Sequence, residues 1–178
     1  MTKVIMVDIE RCLACKSCEI ACAVVHSQAK VLEDAIAESP RPRKRVTVEA
    51  AGEFGVPIQC RHCEAPLCIE ICPTGAIQRK NEESPVVIDQ DLCIGCKLCI
   101  LICPFGILQI GPKGRAIIKC DMCIERMEEG QQPACVEACP TKALRLVSVQ
   151  EVTKSKRRSA VKQLIKEIEK KESKSKDT

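Results

Sequence analysis

Four runs of this 178-residue chain hold all sixteen of its cysteines: CLACKSCEIAC from Cys12, CRHCEAPLCIEIC from Cys60, CIGCKLCILIC from Cys93 and CDMCIERMEEGQQPACVEAC from Cys120. In the first and third runs three thiols recur at Cys-x2-Cys-x2-Cys spacing, and a fourth follows after a wider gap. Short loops of this kind wrap a compact multi-metal core and aim three thiolates at its corners. A single tetrahedral zinc takes two separated Cys-x2-Cys pairs and has no use for a third cysteine at the same interval. Three cysteines plus one, with proline after Cys72, Cys103 and Cys139, is the bacterial iron-sulfur pattern, in which the fourth cysteine of a two-cluster ferredoxin ligates the other cluster. The last cysteine of each run is therefore expected to face a neighbouring site. The runs must then pair, with adjacent clusters close enough for electron hopping.

The rest of the composition fits a chain held together by metal. It has no Trp, no Tyr and only Phe54 and Phe105, too few aromatics for a conventional core. Asp8, Glu10 and Arg11 interrupt the N-terminus where a signal peptide needs an apolar stretch. The chain is thus expected to be cytoplasmic, where clustered cysteines bind metal or do redox chemistry rather than form disulfides. CILICPFGILQI, the most apolar stretch, is broken by Pro104 and Gly106 and falls short of the roughly 20 residues of a membrane span, so none is expected.

The formal charge of +4 is local: Glu151 to Thr178 carry ten Lys or Arg against five Asp or Glu, leaving residues 1–150 at −1. Four cubane cores, each held by four thiolates, would add about −2 apiece and take that body to about −9. Such a body with a basic tail suits an acidic electron carrier and argues against nucleic-acid binding.

Outward from the ligands, IMVDIERCLACKSCEIAC and VVIDQDLCIGCKLCILIC align as an internal repeat of strand, Asp (Asp8, Asp89), cysteine triplet with Lys16 or Lys97, and final cysteine. CPTGAIQR, CPFGILQI and CPTKALRL then predict a short helical turn closed by Cys-Pro. Short strands follow at Ala76-Ile77, Ile107-Leu108 and Ala143-Leu144. Between Cys22 and Cys60 the pattern predicts a helix over HSQAKVLEDAIAES, a break at PRPRKR and a strand RVTVEA ending near Gly52. Val161, Leu164, Ile165 and Ile168 predict a C-terminal amphipathic helix, with KESKSKDT frayed beyond it.

With all four runs in order, and with the irregular spacings Cys63-x4-Cys68 and Cys123-x11-Cys135, residues 1 to about 147 resemble the four-cluster ferredoxin-like electron-transfer subunits of the dimethyl sulfoxide reductase type. These stand beside molybdenum or tungsten oxidoreductases, hydrogenases and CO dehydrogenases. Within that family CEIACAVVHSQAK, RVTVE and QCRHCEAPLCIEICPTGAI are most similar to the iron-sulfur partner of CO dehydrogenase. The resemblance implies four 4Fe-4S clusters. One is held by Cys60, Cys63, Cys68 and Cys103, and one by Cys93, Cys96, Cys99 and Cys72. The outer pair takes Cys12, Cys15, Cys18 with Cys139, and Cys120, Cys123, Cys135 with Cys22. Ala23 follows Cys22 where the other runs have Pro, which weakens the helix stop there without removing a ligand.

The fold implied is α+β: an inner dicluster ferredoxin-like module over 55–111 nested in an outer one built from 1–54 and 112–147, then a basic helix and tail over 148–178. No glycine-rich dinucleotide loop or nucleophile pair offers a substrate site. The expected function is one-electron relay between a redox enzyme, CO dehydrogenase by resemblance, and an acceptor such as a hydrogenase or nicotinamide reductase. Alternative partners are a tungsten aldehyde oxidoreductase, a formate dehydrogenase or a hydrogenase. A stand-alone redox enzyme is disfavoured by complete cysteine ligation.

Several residues admit a plainer role. Lys16 and Lys97 either tune a cluster or are simply solvated, and Arg41, Arg43, Lys44 and Arg45 either dock an acidic partner or form a solvated loop. His62 is expected to support a cluster or lie at the surface rather than ligate, and His26 to start a helix. The apolar residues around the triplets, Ile94, Leu98, Ile100, Leu101 and Ile102 among them, are read as core packing that also keeps water from the clusters.

Overall fold

A computed structural model describes residues 3–111, 114 and 116–176. The chain begins with β1 (Lys3–Val7), makes a 3-10 turn at Ile9–Arg11 and enters α1 (Ser17–Val25), α2 (Leu32–Ala37) and a hairpin of β2 (Val46–Ala51) and β3 (Phe54–Gln59). Shorter pieces follow: α3 (Leu67–Glu70), β4 (Ile77–Gln78), β5 (Val87–Ile88), α4 (Leu98–Ile102), β6 (Gln109–Ile110) and β7 (Ile117–Ile118). The chain then makes α5 (Ile124–Glu128), α6 (Ala134–Glu137), β8 (Leu144–Ser148) and α7 (Val149–Lys176). The architecture is mixed helix and small sheet, as the α+β expectation required.

The cysteine loops owe their curvature to one repeated backbone device. The residue before the second cysteine of every run has positive φ: Ala14 at 53°, His62 at 47°, Gly95 at 71° and Met122 at 59°. A left-handed residue in a tight loop gathers successive N–H groups into one concavity, where anionic sulfur is welcome; in the fourth run Cys123 follows left-handed as well, at φ 51°. Only Gly95 does this without a Cβ penalty; elsewhere the conformation costs on the order of 1–2 kcal/mol, which the rest of the site must offset. Lys16 (φ 60°) and Lys97 (φ 68°) repeat the turn as the residues that open α1 and α4. Their shared offset thus has a backbone role that the sequence did not disclose.

All four sheets are two-stranded and antiparallel, pairing β1 with β8, β2 with β3, β4 with β5 and β6 with β7. Two of these pairings close the same figure. The β1–β8 ladder runs from Lys3↔Ser148 to Val7↔Leu144 and continues with Asp8 N–H donating to the Ala143 carbonyl at 2.8 Å. Likewise β4–β5 pairs Ile77 with Ile88, and Asp89 N–H donates to the Ala76 carbonyl at 2.7 Å. In each case the strand that leads into a triplet is bonded to the strand that leaves a distant Cys-Pro. That brings Cys139 beside the first triplet and Cys72 beside the third.

Two small cores correspond to outer and inner parts of the chain. One gathers Cys18, Cys22, Val46, Cys135, Val136, Cys139, Ala143 and Leu144, with α1 packed on α6. The other gathers Ile77, Val86, Cys99, Ile107, Leu108 and Ile117, with α3 packed on α4. Thiols make up half of the first, and Cys60, Cys68, Cys72, Cys93 and Cys103 pack against the second, in keeping with the missing aromatics.

Several expected elements are corrected. The helix expected over HSQAKVLEDAIAES shrinks to Leu32–Ala37, because Ser27 Oγ bonds back to the Val24 carbonyl at 2.6 Å and Lys30 turns left-handed at φ 59°. The β2–β3 hairpin adds a strand that the sequence pattern did not predict, and the strand expected at Ile107-Leu108 forms two residues later, at Gln109–Ile110. Beyond residue 111, β7 pairs back with β6, and Ile117 packs in the second core. The C-terminal helix runs on through the expected fray to Lys176; Asp177 and Thr178 lie outside the described residues. Its apolar stripe stays open, with Val161, Leu164, Ile165 and Ile168 each about half exposed. Among the described residues no helix is long and apolar enough to cross a membrane.

Candidate iron-sulfur centres

The strand pairings described above build two cavities walled by thiols. One is lined by Cys12, Cys15, Cys18 and Cys139. The other is lined by Cys72, Cys93, Cys96 and Cys99. In each, three thiols of one run meet a fourth from another, the three-plus-one set of an iron-sulfur core.

The remaining cysteines show their company through mutual electrostatics. Burial pushes the Cys123 thiol up to about 11 and the Cys120 thiol up to about 12, and the neighbouring Cys22 acts in the same direction on both. Cys135 is also pushed up, first by burial and then by Cys120, Cys22 and Cys123. Those four form a third group. In a fourth, burial raises Cys68, and Cys60 and Cys103 add to it. Cys63 lies on the same loop, whose turn is clamped by Arg79 Nη2 donating to the His62 and Cys63 carbonyls, both at 2.7 Å.

The residues present fit 4Fe-4S cores. Buried thiols gathered in one place cannot all ionise without a cationic partner, and a metal core is the partner that deprotonates them. The structure also supplies donors. Burial opposes ionisation of Cys72, but the Ile77 N–H and the Thr74 hydroxyl and N–H hold its thiol below the ordinary range. The same arrangement recurs at Cys139 with Leu144 and Thr141. At Cys15 it is Ser17 that lowers the thiol. N–H and O–H donation to sulfur is one of the protein's means of setting cluster potential. Finally, His62 Nε2 is buried with no protein acceptor among the described residues, leaving a donor free for a sulfide.

Thiols also act between groups: burial comes first in raising Cys135, Cys120 and Cys99, and Cys18, Cys60 and Cys68 respectively add to it. Two of the groups reach the surface: Cys15 and Cys96 are exposed, flanked by Leu13 (68% exposed) and Ile94 (62%). Ile94, Leu98, Leu101 and Ile102 are thus surface residues rather than the core packing expected, while Ile100 does pack against the inner core.

Supporting charges account for several sequence candidates and add new ones. His26 ends α1 rather than starting a helix. Its Nδ1 donates to the Cys22 carbonyl at 2.7 Å and its Nε2 meets Asp121 Oδ1 at 3.3 Å. Burial alone would depress this imidazole, but the bonds to Asp121 and Cys22 more than offset it and hold it up at about 9. Arg45 donates its N–H to Cys22 Sγ at 3.2 Å and its guanidinium to Asp121, while Lys44 pairs with Glu19 at 2.6 Å. Half of the basic run is therefore spent inside the molecule. His62 accepts the Val86 N–H on Nδ1 at 3.0 Å, and burial and then Lys119 push it down to about 3, fixing it neutral. Sequence reasoning passed over Glu19, Arg79, Lys119 and Asp121; for the last two, adjacency to Cys120 was the available signal.

Comparison with known proteins agrees with this chemistry. The chain matches the 4Fe-4S dicluster domain over residues 53–149, more than half its length, and a 4Fe-4S binding domain over residues 9–25. An iron-sulfur protein of Rhodospirillum rubrum is 38% identical over 158 residues, covering 82% of each chain. The B subunit of the anaerobic dimethyl sulfoxide reductase of Escherichia coli is 36% identical over 162 residues, covering 83% of this protein and 74% of that one. The thiosulfate reductase electron transfer subunit PhsB of Salmonella typhi is 34% identical over 143 residues, covering 80% and 73%. With its cysteine groups in these places, the chain belongs to the 4Fe-4S dicluster domain family of iron-sulfur proteins.

Proposed function

We propose that the chain is a one-electron relay subunit carrying four 4Fe-4S clusters. Their ligands are Cys12, Cys15, Cys18 and Cys139; Cys120, Cys123, Cys135 and Cys22; Cys60, Cys63, Cys68 and Cys103; and Cys93, Cys96, Cys99 and Cys72. When bound, each such cluster stores and passes one electron. The observation that carries the reading is the pair of thiol-walled hollows, Cys12, Cys15 and Cys18 with Cys139 and Cys93, Cys96 and Cys99 with Cys72, each built by strands from separate runs and each with an exposed cysteine beside apolar surface. The chain insulates the sites from water and supplies N–H donors to sulfur. The modules that do this are an outer dicluster unit and an inner one nested within it.

For the catalytic partner, the CEIACAVVHSQAK, RVTVE and QCRHCEAPLCIEICPTGAI stretches support CO dehydrogenase, with electrons leaving for a hydrogenase or nicotinamide reductase in the cytoplasm. A second reading, a molybdenum reductase partner, is favoured by the relative named as a subunit of dimethyl sulfoxide reductase. The test is anaerobic mixing with each purified enzyme and its substrate. Rapid bleaching of iron-sulfur absorbance by CO and CO dehydrogenase supports the first reading. Exchange only with a dimethyl sulfoxide or thiosulfate reductase moves the protein to the second.

A further inference from the structure

One cation is buried among the residues whose exposure the structure describes: Lys119, 4% exposed. Its Nζ donates to the Val86 carbonyl and, at 2.9 Å, to the Cys120 carbonyl. Val86 is a 1%-exposed member of the inner core, and Cys120 begins the last run of the outer part, so the ammonium is clamped at the junction of the two. Among the described residues no carboxylate lies within ion-pair distance of it; the nearby Asp121 is already shared by His26 and Arg45. A buried ammonium bonded only to neutral carbonyls is costly unless an anion faces it.

The hydrogen bonds of Lys119 show where the anion belongs. Val86, whose carbonyl takes the Lys119 ammonium, gives its own N–H to His62 Nδ1 at 3.0 Å, and the His62 backbone N–H donates to Cys60 Sγ at 3.4 Å. Lys119 therefore backs onto the run that supplies Cys60, Cys63 and Cys68. Four thiolates around an iron-sulfur core carry net negative charge, which grows by one on reduction, so a fixed cation beside the core favours the reduced state.

Resting on the four-cluster reading above, we infer that Lys119 is the built-in counter-charge of the cluster held by Cys60, Cys63, Cys68 and Cys103, raising its reduction potential so that this site is where an electron rests among the four. Lys119 touches no reacting atom; it is a positioning charge that acts on the equilibrium of its neighbour.

The test uses the full chain loaded anaerobically, as wild type and as Lys119→Gln, Lys119→Met and Lys119→Arg. Iron content and a potentiometric titration followed by electron paramagnetic resonance are the readouts, and Cys103→Ala identifies the signal of the cluster in question. Iron is measured first on the wild type: a chain without iron overturns the four-cluster reading itself. Lys119→Gln keeps N–H donors for the two carbonyls while removing the charge. It is expected to shift the reduction equilibrium of that one cluster about tenfold towards the oxidised form, ~59 mV for a one-electron couple. Lys119→Arg is expected to retain most of the wild-type potential, and the clusters of Cys12 and Cys93 to stay put. If both neutral variants fail to load iron while Lys119→Arg loads, the charge is needed to hold the site and the inference stands. Unchanged potentials in a loaded Lys119→Gln, equal shifts in Lys119→Arg, or failure of all three variants to load would each assign Lys119 to packing and overturn it.

Discussion

His26 and Asp121, 95 residues apart, are joined by a 3.3 Å contact from Nε2 to Oδ1 that binds the end of the first cysteine run to the start of the fourth. The same imidazole holds the Cys22 carbonyl, and Arg45 holds both the Asp121 carboxylate and Cys22 Sγ. These bonds tie Cys22 to the start of the fourth run. Asp121→Ala should release this junction and leave two cations without their anion. The expected loss is about 1.5–3 kcal/mol of stability, the range for hydrogen bonds to charged groups, measured by denaturant unfolding of the loaded protein. A loss below about 0.5 kcal/mol, that of an ordinary surface substitution, would show that the junction is not structural.

Cys22→Ala is expected to damage the centre of Cys120, Cys123 and Cys135 while sparing that of Cys12, Cys15 and Cys18, the triplet beside it in sequence. Resonance spectra and iron analysis of the variant decide between the two. Loss at the adjacent triplet would mean that each run serves its own cluster.

Gly55 supplies a packing test. A Cβ there would lie 2.6 Å from Ala14 Cβ and 3.1 Å from Ala14 Cα, against the left-handed turn between Cys12 and Cys15. Gly55→Ala should cost about 1–3 kcal/mol by overpacking and selectively weaken the first centre. Adding Ala14→Gly should restore it, since the clashing atom is removed and glycine accepts the positive φ. A double variant no better than the single one would place the defect elsewhere in β3.

The C-terminal helix invites truncation after Ser148, because β8 ends there and pairs with β1. Cluster content should be unchanged, as no cysteine follows Cys139. Binding to the redox partner should weaken, since the stripe of Val161, Leu164, Ile165 and Ile168 faces solvent on a helix rich in Lys and Arg. Calorimetric titration against the partner enzyme measures this. Equal affinity with and without the helix would reduce it to a solubilising appendage.

What the sequence made legible follows from how local each constraint is. Ligand spacing is written into a few consecutive residues, so the sixteen cysteines, the strand after PRPRKR and the weak helix stop at Ala23 could be read directly; α1 indeed continues to Val25. The supporting charges could not. Lys119, Glu19 and Asp121 have ordinary surface chemistry, and only the tertiary fold shows that Lys119 meets Val86 across 33 residues, or that Glu19 accepts the Val48 N–H at 2.6 Å. Nor does hydropathy distinguish Ile94 and Leu101, both open to solvent, from Ile107, which is buried.

The most direct measurement is a reductive titration of the anaerobically prepared protein, with iron and sulfide determined on the same sample. Four cubane sites predict about sixteen iron and sixteen sulfide, and uptake of about four electrons in one-electron steps, falling by one in Cys22→Ala. Zinc in place of iron, or uptake of about two electrons or fewer by the fully loaded protein, would contradict the relay.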